Sequence, residues 1–106
     1  YFSTCINGRE FRIKRLGSVE KLLLEGVAMH HCVGGYGEEC HTGDTTIWSL
    51  RRVGATGQAE REATIELTAA LDIIQVKGKA NIHPKADAMQ AVEQWAKCHN
   101  LQFCSW

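Results

Sequence analysis

A chain of 106 residues is enough for one compact domain and too short for two. Twelve basic and twelve acidic residues cancel to a formal net charge of +0, which speaks against a broad, nonspecific polyanion-binding surface. With 44% hydrophobic residues and a single proline the composition is that of a folded domain, and no apolar run approaches the roughly 20 residues a membrane-spanning helix needs.

The chain opens on Tyr1 with no Met, which suggests an excised domain or a processed fragment. Five cysteines, Cys5, Cys32, Cys40, Cys98 and Cys104, form no CxxC pair and cannot all pair within one chain. That count argues for a reducing compartment, hence a cytoplasmic location, while Cys98, in a helical pattern, and Cys104, in an apolar tail, read as ordinary buried thiols.

In chain order, "FSTCINGREFRI" reads as two strands, about 2–6 and 9–14, joined at Asn7-Gly8, the preferred pair for a type I′ turn. Ser18 can cap a following helix, "VEKLLLEGVAMH". Its expected apolar face is Val19, Leu22, Leu23 and Val27 with Leu24 beside them. Gly34-Gly35 breaks that helix, and "YGEECHTGD" can hold a further turn or two before "TTIWSLRRV" gives a strand at 45–52. "VGATGQAERE" reads as a polar loop.

"ATIEL" alternates, placing Ile65 and Leu67 on one face and Thr64 and Glu66 on the other. A short link at 68–70 then leads to "LDIIQVKG", with Ile74 and Val76 toward the core. Ile73, Gln75 and Lys77 fall opposite, Ile73 as a misfit on a polar side. Pro84 is placed to open the first turn of a second helix, striped by Ala88, Met89, Val92, Trp95 and Ala96 and ended at Asn100. "LQFCSW" can return as an edge strand. The expected fold is a single α+β domain over residues 1–106: a small mixed or antiparallel sheet with helices packed mainly on one side.

The stretch "MHHCVGGYGEEC" concentrates the reactive side chains. As a zinc site it is poorly spaced, because His31 and Cys32 are adjacent and Cys40 and His41 follow only after seven intervening residues. No metal or other cofactor is expected. Cys32 as a nucleophile would sit at a helix C-terminus, where the dipole opposes a thiolate. His31 is better placed: it lies where a helix gives way to a glycine turn, near Tyr36, and imidazole suits acid–base work.

The ordered segments "EGVAMHHCVGGY", "GDTTIWSLRR", "ATIEL" and "IIQVKGKANIHP" resemble the PcfJ-like family, which occurs in proteins of conjugative plasmids, phages and related bacterial mobile elements. The resemblance runs from about Ser18 to Pro84, and it marks His31, Cys32, Val33, Gly34, Tyr36, Ser49, Arg51, Thr64, Glu66, Gln75, Lys77, Gly78 and Asn81. It carries no specific reaction.

A histidine, a tyrosine, an arginine, a glutamate and a lysine without paired carboxylates suit metal-independent phosphodiester chemistry. The leading expectation is therefore a domain acting on nucleic acid, ribonuclease-like. His31, Tyr36 and Glu66 are its candidate catalytic groups, and Arg51, Thr64, Gln75, Lys77 and Asn81 its binding groups. A non-catalytic module for nucleic acid or a protein partner is the alternative, and a cysteine-dependent enzyme a third. No membrane contact is expected.

Overall fold

The computed structural model describes residues 2–29 and 45–103, with Asn81 given by its backbone. Six strands form one curled sheet in sequence order: β1 (Phe2–Ile6), β2 (Arg9–Arg15), β3 (Thr45–Val53), β4 (Ala59–Thr68), β5 (Asp72–Lys77) and β6 (Gln102–Phe103). The first five are antiparallel neighbours, and β6 joins β5 in parallel, so the sheet is mixed. Two helices, α1 (Val19–Met29) and α2 (Ala86–His99), complete the described fold.

The β1–β2 turn has Asn7 at φ 51° and Gly8 at φ 80°, the pair of positive angles that a type I′ turn requires. The Ser18 hydroxyl accepts from the Lys21 N–H at 3.2 Å and so caps α1. Asn100, left-handed at φ 56°, closes α2 by donating its N–H to the Ala96 carbonyl. Pro84 lies just ahead of α2 and not in its first turn, since extended Lys85 occupies the cap position. The β3–β4 hairpin is longer than expected. "AERE" belongs to β4, and only residues 54–58 turn, closed by the Gly54 N–H on the Gln58 carbonyl at 2.7 Å.

The main core lies between α2 and one sheet face. Phe11, Ile13, Leu50, Ala63, Ile65, Leu67, Ile73 and Val76 from the strands meet Ala88, Ala91, Val92, Trp95 and Ala96 from the helix. Cys98, expected to be buried, is exposed on α2.

Helices mainly on one side are not what the sheet carries. Ser49 and Thr64 alternate with core residues Leu50 and Ile65 and so point the other way, and both bond to Glu25 of α1. Leu16, Leu22 and Ile47 form a smaller cluster on this second side.

The face that α1 turns inward is also not the one its apolar residues predict. Its buried residues are Leu22, Glu25 and Met29, while Val19, Leu23, Leu24 and Val27 are exposed, Val27 to 76%. A buried carboxylate must find donors, and the donors stand on the strands beneath it. That requirement fixes the helix rotation against its simple apolar pattern.

A bulge between Glu66 and Leu67 resolves the misfit at Ile73: Glu66 pairs with Gln75, but Leu67 pairs with Ile73, and Ile73 is fully buried in the core. Ile74, expected in the core, is the residue passed over in this pairing and is half-buried.

A basic cleft over a buried glutamate

Glu25 is fully buried, and each of its oxygens is engaged. Oε1 accepts from Ser49 Oγ at 3.0 Å and from Arg61 Nε at 2.8 Å, and Oε2 accepts from Thr64 Oγ1 at 2.7 Å. The Ser49 hydroxyl in turn accepts from Arg51 Nε at 3.2 Å. One helical carboxylate thereby ties together two neighbouring strands and two guanidinium groups.

Simple alternation along β4 would set Arg61 and Thr64, three residues apart, on opposite faces. Both nonetheless reach Glu25. The register supplies the reason: Leu50 pairs with Ala63 but Arg51 pairs with Arg61, so β4 carries an extra residue, Glu62, at a bulge. The bulge turns Arg61 to the α1 side and leaves Glu62 to meet Arg52 at 3.2 Å.

Above this network lies a hollow of about 160 Å³ lined by Lys14, Arg15, Leu16, Lys21, Leu24, Arg51 and Arg61. Among the described residues, five cations and no carboxylate line it. Other basic residues of the early cluster are balanced by acids: Arg9 lies 3.9 Å from Asp87, and Arg12 bonds Glu10 at 2.8 Å. The Arg12 hydrogen bond, helped by Ser3, holds the Glu10 carboxyl below its usual range. Arg52 bonds Glu60 at 2.7 Å, and that bond, with the charge of Glu62, holds its guanidinium above its ordinary value.

The expected binding face is partly assembled. Thr64 pairs with Lys77 and Glu66 with Gln75 across β4 and β5, so these four residues share the α1 side of the sheet. Lys14, Ser49, Thr64 and Lys77 are successive partners across four strands. This face is not open, however: Ser49, Thr64 and Glu66 are buried, Glu66 to 6% exposure. Arg51 reaches the hollow itself.

Asn81 belongs to a short 3-10 turn, Lys79–Asn81, that packs against α1. His31, Tyr36, Cys32, Cys40 and the Gly34-Gly35 turn lie outside the described residues. Among the described residues no cluster of three His, Cys, Asp or Glu side chains is placed to hold a metal, and no helix is long and apolar enough to cross a membrane.

The family model of the PcfJ-like proteins matches residues 1–93. The chain belongs to the PcfJ-like family. No curated protein and no solved structure gives a match. The match begins at residue 1, so it takes in the β1–β2 hairpin as well as the motif region from Ser18 to Pro84.

Sequence reasoning missed two members of the PcfJ-like network, Glu25 and Arg61. Glu25 was legible in principle: it stands three residues after Leu22 and four before Met29, on their side of the helix. Arg61 was hidden, because it sits between two acids in a stretch that reads as a loop and reaches its face only through a bulge.

Proposed function

We propose that this PcfJ-like domain acts on nucleic acid and grips the phosphate backbone through the basic cleft. The observation that supports this is the sorting of charge: five cations converge on one hollow while Arg9, Arg12 and Arg52 are matched to acids, on a chain of zero net charge. Guanidinium groups held by their Nε atoms can direct their terminal nitrogens at phosphate oxygens in pairs. The setting in conjugative plasmids, phages and related mobile elements is the one that the family resemblance implies.

A ribonuclease-like activity is the second reading, favoured by the alignment of Glu66 and Thr64 with Gln75 and Lys77 next to that cleft. In it His31 and Glu66 exchange protons with the reacting oxygens, Tyr36 and Asn81 position the strand, and Arg51 and Lys77 bind the phosphate. A protein-binding module is the remaining alternative.

Fluorescence anisotropy with labelled single-stranded RNA, single-stranded DNA and duplexes tests the binding reading. Saturable binding that weakens at least about fivefold in Arg51→Gln is expected, the loss of one charge-assisted contact. No binding to any of these probes would overturn it. Incubation of bound RNA with chelator present tests cleavage: the second reading expects products from wild type and from His30→Ala, and none from His31→Ala.

A further inference from the structure

We infer that the basic cleft takes a single terminal phosphate, the phosphorylated end of a nucleic-acid strand, in preference to an internal phosphodiester. This rests on the nucleic-acid reading above and narrows its substrate.

Shape is the first ground. A compact hollow of about 160 Å³, with Leu16 and Leu24 among its lining, accommodates a single phosphate group. Proteins that track a strand present an extended positive groove with stacking aromatic rings. Among the described residues the lining holds no aromatic side chain, and the cations that could prolong a groove along β2 and β3, Arg12 and Arg52, are each bonded to carboxylates.

Charge is the second ground. Arg51 and Arg61 are direct partners across β3 and β4, and Arg12 is the partner of Arg51 on the other side. Like charges placed opposite one another destabilise a sheet unless an anion is shared between them. Glu25 answers part of that charge from below through Arg61 Nε, yet it is buried and already accepts three hydrogen bonds. Lys14, Arg15, Lys21 and Arg51 have no carboxylate partner among the described residues. An internal diester brings one negative charge. A terminal phosphate brings close to two at neutral pH and three unshared oxygens.

Pre-organisation is the third. Arg61 is anchored at Nε by Glu25, and Arg51 at Nε by the Ser49 hydroxyl, which itself donates to Glu25. Both guanidinium groups line the hollow and are held there by their Nε hydrogen bonds. Lys21, in the first turn of α1, adds a charge beside the positive end of the helix dipole.

The test compares one short single strand carrying a 5′-phosphate, a 3′-phosphate or hydroxyls at both ends, with inorganic phosphate and a nucleoside monophosphate as competitors. One of the phosphorylated forms is expected to bind about tenfold or more tightly than the hydroxyl-ended strand, and which form does so identifies the end that is read. The preference should shrink as pH falls from 7 to 5 and the terminal phosphate takes up its second proton. It should vanish in Lys14→Gln/Lys21→Gln, whose substituted positions are exposed, with circular dichroism confirming the fold. Equal affinity for all three strands would overturn the end preference and leave nucleic-acid binding intact. Binding of inorganic phosphate with no strand bound at all would overturn both readings.

Discussion

Glu25 decides more about this domain than any apolar residue of its helix. A carboxylate taken wholly out of water requires nearly every oxygen lone pair directed at a donor, and Ser49, Arg61 and Thr64 meet that need. Removing it leaves two buried hydroxyls and one guanidinium without their acceptor. Glu25→Ala should therefore cost about 3 kcal/mol, readable as a lowered urea midpoint, since each orphaned buried polar group costs roughly 1–3 kcal/mol. Arg61 is about one-third exposed and can recover water, which keeps the cost from rising further. Arg61→Lys keeps the charge but loses the directed Nε–H. It should weaken strand binding severalfold with a smaller stability loss than Glu25→Ala, and a binding isotherm paired with a melt separates the two effects. The sequence did present Glu25: it opens the first segment that resembles the family, but as one acid in a leucine-rich helix it reads as surface.

At the scale of elements, what was legible follows local chemistry, and what was not depends on pairing. Asn7-Gly8, Ser18 and Asn100 act through their own backbone angles or side chains, so each marks its turn or helix end without reference to the rest of the chain. The two bulges leave no such mark. They exist because β4 must satisfy partners on both sides: one bulge sends Arg61 to Glu25, and the other lets Ile73 enter the core in place of Ile74. Strict alternation therefore aligned Thr64, Glu66, Gln75 and Lys77 correctly, yet could not see that α1 covers part of that face. Gly78 closes the same region. Its N–H donates to the Ile82 carbonyl at 2.7 Å, and a β-carbon there would come within 2.7 Å of that backbone oxygen. Gly78→Ala should cost about 1–3 kcal/mol through this overpacking and should displace the Lys79–Asn81 turn, seen as shifted amide resonances for residues 77–82.

Across the whole molecule, zero net charge and a strongly basic pocket are compatible because Asp87, Glu10 and Glu60 pair with cations that do not line the hollow, while of the lining cations Arg61 alone is paired among the described residues, to Glu25. The distribution distinguishes a discrete anion site from a general electrostatic surface, and salt dependence measures the difference. A surface that tracks a strand releases a counterion at each phosphate it neutralises, giving a slope of log Kobs against log salt of about −0.7 per phosphate on single strands. A site centred on one end phosphate, with at most one neighbouring phosphate engaged, should give a slope of about −1 to −2. Lys14→Gln/Lys21→Gln should bring the slope closer to zero, because fewer phosphate charges are then neutralised. Anisotropy titrations between 50 and 300 mM salt read both quantities. A slope steeper than about −4 would mean that the domain engages a long run of backbone, and the cleft would then be one contact among many.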